Sequence, residues 1–513
     1  MRLLLLALLG WPLLVRADWW WPASGPRPLA EQCEALAVTL DETPPTAQGP
    51  TIAAAHSAIA QGQWLALNHH QASWRRAGAD CELLLTLALD RLDSHQATDP
   101  DHPLVAARLA AAPRTAEAKS ARRELNSAVS AYARQLSSAN QQPLTLAPDC
   151  PPVTAATLAD YLAGNAPPHC RSEARQRWQQ RASQLGGASY TALLYARQQL
   201  AAAEGEPSWR HWRGRDALLS PADVNRLLLA LGRRHCPSAA DNNVPQPAAT
   251  LLTAQLTLLE QRLGLTMTQQ PLSAPALRSL PLIALQLQWP GHQSGPRWLL
   301  LDLFTRPGKA VKRPQMMPLS WNSEGQLQAV AVSAALPDGD WSSAQQLALI
   351  DSLANGVMAH RPPQAADLKG LWGALAQHWW LPQQQLQPSR YEVLAAALVA
   401  RSHRQPLIRD GGNELVSNSL RTLQLSAGTV VAAQLWASPT MLSDDALAYR
   451  PLWLALLASR LTVLSADAQE RLLATVGSAA EKETLLEVLA VPDPQAALTQ
   501  LLAEASCAQS QTP

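Results

Sequence analysis

Apolar residues in this chain recur mostly at three- and four-residue steps, the spacing of one face of a helix. Such stripes cover residues 28–39, then residues 51–140 as successive Ala/Leu-rich helices broken at 99–103. Proline-bearing stretches at 143–152 and 166–170 read as linker and break, and a long helical run follows over 172–205. Ser220, Pro221 and Asp223 make a helix start: a hydroxyl to cap, a proline in the first turn, and a carboxylate at the positive end. A further helix is predicted over 248–263. The period then changes. Residues 282–289 (LIALQLQW) alternate, residues 297–305 (RWLLLDLFT) are apolar and extended, and residues 327–336 (LQAVAVSAAL) make a third strand candidate. Helical spacing returns over 343–359, 366–380, 391–402 and 414–436, and the tail 444–506 breaks into short helices. The predicted fold class is mainly α, with a small β-sheet (282–336) inserted before a pair of helices (343–380).

Composition narrows the class. Hydrophobic residues are 47% of the 513 and charged residues 16%, so a large core is available and the chain is not disordered. A net charge of +1 argues against a nucleic-acid partner, which needs a basic face. At the start, Arg2, the apolar run 3–14 and Val15-Arg16-Ala17 match the parts of a secretory signal peptide (residues 1–17), with the mature chain expected from Asp18. The apolar run is short for a membrane span, and a short anchor is the alternative. No later stretch is apolar enough to span. The expectation is an exported protein, periplasmic or secreted. In that setting an even number of cysteines suggests disulfides. Cys33, Cys81, Cys150, Cys170, Cys236 and Cys507 allow fifteen pairings, of which neighbour with neighbour is the simplest. No C-x-x-C occurs, against a zinc ribbon or thioredoxin-type centre.

Residues 347–360 (LALIDSLANGVMAH) carry the main candidate chemistry. The stripe Leu347, Ile350, Leu353, Ala354, Val357 and Met358 leaves Asp351 and Asn355 one turn apart, with Ser352 beside Asp351. That i, i+1, i+4 layout is how a metallopeptidase helix presents two ligands and a base. The order of the surrounding segments matters too. Leu301-Asp302-Leu303-Phe304-Thr305-Arg306 is followed by Gly308-Lys309, then by the strand Ala329-Val330-Ala331-Val332, the helix above, and Leu371-Trp372-Gly373-Ala374-Leu375-Ala376-Gln377-His378-Trp379. This order resembles the zinc peptidases of the thimet oligopeptidase, neurolysin and oligopeptidase A family, whose parallel segments look like "DLYxRxGK", "PVAYLVCNF", "LFHEFGHALH" and "PSQFMENW". The upstream segment 192–231, with SPADVNRLLLAL, and the segment 421–436 are also similar to helices of that family. The likeness spans residues 185–436 and implies a neurolysin-like, multi-helix peptidase architecture.

On this resemblance the family's His-Glu-x-x-His falls on Asp351-Ser352-Leu353-Ala354-Asn355, and its third ligand on Gln377. Catalytic zinc needs three good protein ligands and an open water position. Carboxamides suit zinc far less than imidazole or carboxylate, and a serine hydroxyl is not basic enough to replace the glutamate. His360 and His378 point away from these positions by helical geometry. The family's tyrosine- and histidine-bearing loop, which supplies oxyanion donors, has no counterpart: beyond Tyr391 the chain has one tyrosine, Tyr449, and beyond His403 no histidine. The expected state is a degenerate member with no catalytic residues and no zinc. The resemblance implies peptide binding along the edge of the small sheet by strand addition. The matching edge is Ala329, Val330, Ala331, Val332 and Ser333, with burial of this strand in the core as the alternative.

Other motifs lead elsewhere. His69-His70 reads as a surface pair, since adjacent residues do not share a helical face. Gly291-His292-Gln293-Ser294-Gly295 has the wrong spacing for a nucleophile elbow and reads as a hairpin loop. Trp209-Arg210-His211-Trp212-Arg213 reads as an exposed turn. No phosphate-cradling glycine motif is present. The organisation expected is a signal peptide (1–17), an N-terminal helical region (18–180), a degenerate peptidase domain (181–440) and a helical tail (441–513). The function expected is an exported, non-catalytic peptidase-like protein whose partners are peptides or another exported protein. The alternatives are an active zinc oligopeptidase with relocated ligands and a helical interaction protein that binds no peptide.

Overall fold

The computed structural model describes residues 24–43, 48–92, 102–105, 115–154, 158, 161, 166–185, 188–233, 246–272, 274–290, 296–380, 445–478 and 480–504. The chain opens with α1 (Pro26–Glu42), α2 (Gln48–Asn68), α3 (Ala72–Leu92) and α4 (Ala116–Gln141). Next come α5 (Pro168–Leu185), α6 (Ala188–Ala203), α7 (Trp209–Arg213) and α8 (Pro221–Arg233). The strand region holds β1 (Gln246–Pro247), α9 (Ala248–Leu263), β2 (Thr266–Gln270), α10 (Pro275–Arg278), β3 (Ile283–Gln288) and β4 (Arg297–Phe304). It continues with β5 (Gln315–Trp321), β6 (Leu327–Leu336) and β7 (Asp340–Trp341). Helices α11 (Ser343–Val357) and α12 (Leu371–Trp380) come after the sheet. The chain ends with α13 (Arg450–Leu461), α14 (Ala466–Thr475), α15 (Glu481–Val488) and α16 (Pro494–Glu504). The described residues are therefore mostly helical, with a small mixed sheet of five strands and a two-stranded pair, β1–β7. Among the described residues no helix is long and apolar enough to cross a membrane.

Packing gathers the chain into two units, each discontinuous in sequence. One comprises residues 1–112, 240–362 and 375–382; the other comprises 113–239, 363–374 and 383–513. The sequence segments 18–180, 181–440 and 441–513 do not coincide with them.

The first unit is built on the sheet, in the order β2-β3-β4-β6-β5. Strands β4 and β6 run parallel, and the other neighbours are antiparallel. Both faces are covered, which is why β4 and β6 read as near-continuous apolar runs. One face joins the core of α1–α3 through Ala284, Trp298, Leu300, Leu319, Ala329 and Ala331. The opposite face carries Leu299 and Val332 beneath α11. There Gly356 admits a close approach: a Cβ at that position would lie 3.0 Å from Val332 Cγ2 and 3.1 Å from Leu299 Cδ1. Helices α2 and α3 cross still more tightly, at Gly62 and Gly78, and the Cys33–Cys81 disulfide ties α1 to α3.

The three predicted strands are present, at 283–288, 297–304 and 327–336. Two more strands of this sheet were not predicted, nor was the two-residue pair β1–β7. Strand β2 (TMTQQ) is a polar edge, and β5 (QMMPLSW) contains Pro318, tolerated because β5 is the opposite edge. The helix expected from 366 begins at Leu371. Gly370 has φ +100°, a conformation open to glycine, and Asp367 just before it accepts the backbone N–H groups of Leu218 and Leu219 at 2.9 and 3.0 Å.

The second unit is helical. Its α8 starts as predicted, with Asp223 N–H donating to Ser220 Oγ and Ser220 N–H returning to Asp223 Oδ2, both at 3.2 Å. Asp367 and Glu481 are its buried anchors. Asp367 also accepts the Tyr449 hydroxyl at 3.3 Å, and Glu481 accepts N–H groups from Gln364, Ala365 and Gly477. Burial pushes the Asp367 carboxyl above its ordinary range, against the pull of its donors. The predicted helices 391–402 and 414–436, the signal region 1–17 and the loop 291–295 lie outside the described residues.

Candidate functional site

Helix α11 is started by a capping box: Ser342 Oγ accepts the Gln345 N–H, and the Gln345 side chain accepts the Ser342 N–H at 2.9 Å. Leu349, Ile350, Leu353, Ala354 and Val357 are buried against the sheet and its neighbours. That rotation leaves Asp351 and Asn355 together on the less covered stripe, both half-buried and one turn apart. Ser352, about 100° further round, is turned inward and buried.

Gln377 comes to α11 from α12. Its Nε2 donates to the Leu347 carbonyl at 3.2 Å. Leu347 is one turn before Asp351 and, at about 1.5 Å per residue, roughly 12 Å along the axis from Asn355. The structure thus brings Gln377 to the Asp351 end of the helix by a backbone bond. Two further carboxamides, which sequence spacing did not flag, work the same region. Gln255 Nε2 donates to the Gln346 carbonyl at 2.9 Å, and Gln346 Nε2 to the Trp341 carbonyl at 3.0 Å. Trp380 Nε1 donates to Gln346 Oε1 at 3.3 Å. The start of α11 is thus held by neutral amide–carbonyl bonds, an arrangement that fixes helices without placing charge.

A catalytic zinc does not fit this donor set. Asp351 is its single carboxylate, Ser352, Asn355 and Gln377 are neutral, and the amide nitrogen of Gln377 is engaged with backbone. His360, on the turn after α11, contacts the Val357 carbonyl through Nδ1 at 3.2 Å and packs on Trp289 with ring centroids 4.4 Å apart. His378 is buried on α12 beside Gln377.

The motif LDLFTRPGK has a structural reading. Asp302, fully buried at the end of β4, meets Arg306 Nη2 at 2.8 Å and Lys309 Nζ at 2.8 Å, with Arg306 Nη1 also on its carboxylate. Lys309 Nζ donates to the Asp302 carbonyl at 2.6 Å as well. Arg306 reaches the Asn68 carbonyl at the C-terminus of α2, where a cation also favours the helix dipole. Burial lowers the Lys309 amine to about 8, with Asp302 opposing the shift. These charges pin the loop after β4 to α2. They give the Asp, Arg and Lys of the motif a role in folding.

Three expectations need correction. The candidate edge Ala329, Val330, Ala331, Val332 and Ser333 is not an edge: β6 pairs with β4 on one side and β5 on the other, and all five residues are buried. The outer strand is β5, disguised in sequence by its proline. His69 is not at the surface. It is 1% exposed, its Nε2 donating to the Ala276 carbonyl and its Nδ1 accepting the Gln71 N–H, both at 3.1 Å, with His70 stacked at 4.7 Å. Residues 209–213 are not an exposed turn but the short helix α7. Trp209 and Arg210 are buried, and Arg210 Nη2 donates to the Pro221 carbonyl at 2.7 Å. Of the cysteines, Cys33–Cys81 and Cys150–Cys170 are joined, each neighbour with neighbour. Cys236 and Cys507 lie outside the described residues.

No family model matches the chain, and no curated protein matches it. Solved structures similar in fold include a protein provisionally described as an oligoendopeptidase F, 11% identical, covering 90% of this chain and 86% of its own with a TM-score of 0.49. Another, provisionally described as a peptidase from Chlamydophila abortus, is 10% identical and covers 96% of this chain and 93% of its own, with a TM-score of 0.46.

Proposed function

We propose that the chain is an exported peptidase-like protein that performs no metal-dependent hydrolysis. One observation carries this reading. Where the sequence resembles the thimet oligopeptidase family, the positions of its ligands and base hold Asp351, Ser352, Asn355 and Gln377, a set without imidazole or general base. Two disulfides among the described residues favour an oxidising compartment, periplasmic or extracellular.

Peptide binding remains part of the proposal, but on a different strand. The edge beside β6 is β5, and Gln315 and Met316 at its start are exposed. Strand addition there is short, because Pro318 removes a backbone donor. The test uses the purified full chain without reductant. Zinc content is measured by mass spectrometry, hydrolysis with and without a chelator, and peptide binding by calorimetry. Sub-stoichiometric zinc, no chelator-sensitive cleavage and heat with peptide pools are expected. Near-stoichiometric zinc lost on Asp351→Ala, with cleavage that chelator abolishes, overturns the reading; no heat with any pool removes the peptide-binding part.

A further inference from the structure

Away from α11, four side chains with metal-ligand chemistry converge on the first turn of α5. Asp149, Cys150, His169 and Cys170 each offer one ligand atom, and all four atoms lie within 4.8 Å of one another. His169 Nε2 is 2.9 Å from Asp149 Oδ2 and 3.2 Å from Cys170 Sγ. The two sulfurs are joined, with Cα atoms 5.5 Å apart. Among the described residues no other group of His, Cys, Asp and Glu comes this close. Thiolates are strong ligands for soft and borderline cations, and a disulfide offers none.

Whether the four groups stay together once the disulfide opens depends on what else holds the loop. Leu144 N–H donates to the Val153 carbonyl at 2.8 Å, and Pro143 and Thr154 form an antiparallel bridge. Cys150 N–H closes a turn onto the Ala147 carbonyl at 2.9 Å, and Ala147 N–H donates to Glu173 Oε2 on α5 at 3.1 Å. Leu144, Val153 and Leu158 pack on Ala174 of the same helix. Asp149 and Cys150 are therefore kept opposite His169 and Cys170 by bonds that do not involve sulfur. A preorganised set survives reduction where a free loop would scatter its ligands.

We propose that the Cys150–Cys170 disulfide is the closed form of a redox-gated site for a thiolate-preferring divalent cation such as zinc, with Cys150, Cys170, His169 and Asp149 as its four ligands. Tetrahedral bonds of about 2.0–2.3 Å place ligand atoms about 3.3–3.8 Å apart, within the span these four already share. A dithiol reductant opens the disulfide in two exchanges. One of its thiolates attacks Cys150 Sγ, the less buried sulfur, and the electron pair of the broken bond leaves with Cys170 Sγ. The second thiolate then attacks the mixed disulfide and releases Cys150 as thiolate. The reductant ends as its own disulfide, two electrons poorer. The cation binds both thiolates, the carboxylate and the neutral imidazole of His169, whose N–H then sits on the ring nitrogen turned away from the metal.

The test titrates the full chain with Zn²⁺ and with Co²⁺, before and after treatment with a phosphine reductant. Expected is uptake of one equivalent only after reduction, with sulfur-to-cobalt charge-transfer absorption. His169→Ala and Asp149→Asn, which leave the disulfide intact, are each expected to weaken that uptake at least tenfold, and Asp351→Ala to leave it unchanged. No uptake after reduction overturns the proposal. So does uptake of undiminished affinity in His169→Ala, or uptake that persists in the Cys150→Ser, Cys170→Ser double variant.

Discussion

His69 shows how much a single buried side chain can do for a fold. Its two ring nitrogens are both used, Nε2 as donor and Nδ1 as acceptor of a backbone N–H, a pattern only the neutral tautomer satisfies. Burial lowers its pKa from 6.5 to about 4, helped by His70 and Arg306. The unfolded chain binds a proton near pH 6.5 and the folded chain only near 4. Between those values the unfolded state holds more protons, so stability falls as pH drops and is complete above 6.5. The loss reaches about 3 kcal/mol for a shift of this size. Denaturant unfolding between pH 7 and 4 is expected to show this slope, and His69→Gln, which keeps a donor and an acceptor, to flatten it. The adjacent pair His69-His70 was visible in sequence, but neighbours in a chain say nothing about depth. Gln377 was singled out only by the resemblance, whereas the placing of Asp351, Ser352 and Asn355 on one helix was legible because helical spacing is a strong signal. That Gln377 spends its amide on a backbone carbonyl was not, since no local pattern encodes a partner 30 residues away.

At the scale of elements, alternation announced β3 and apolar runs announced β4 and β6, and the change of period placed the sheet correctly between helices. The two edges escaped because edge strands carry polar residues and proline for the very reason that they are edges. The resemblance assigned the edge to β6, and with β5 unseen nothing in the sequence stood beyond it. The α2–α3 crossing was equally hidden: one glycine on each helix is a weak mark until the helices are seen to touch there. A Cβ on Gly62 would stand 2.6 Å from the Gly78 carbonyl oxygen, a backbone atom that cannot move alone. Gly62→Ala is expected to destabilise the protein by about 2 kcal/mol through overpacking, despite its better helix propensity. A lower urea midpoint with an unchanged slope checks this; an unchanged midpoint would mean that the helices part at no cost.

For the whole molecule, the helical class with its inserted sheet could be read from the chain, but the partition into units could not. Periodicity reports local structure, whereas a unit assembled from residues 1–112 and 240–362 is defined by contacts between distant stretches. Trp64 illustrates them: fully buried, it donates its indole N–H to Ser333 Oγ on β6 at 3.0 Å, across 269 residues. A fragment ending at residue 239 keeps α1–α3 and lacks every strand they cover. Amides of α2 and α3 are expected to exchange with solvent rapidly in that fragment and to be protected in the full chain.

The same bond has a temporal side. At roughly 5–20 residues per second of synthesis, Ser333 leaves the ribosome some ten to fifty seconds after Trp64. For that interval the nascent N-terminal hairpin carries a large apolar face with nothing to cover it, long enough for a holdase to be its natural first companion.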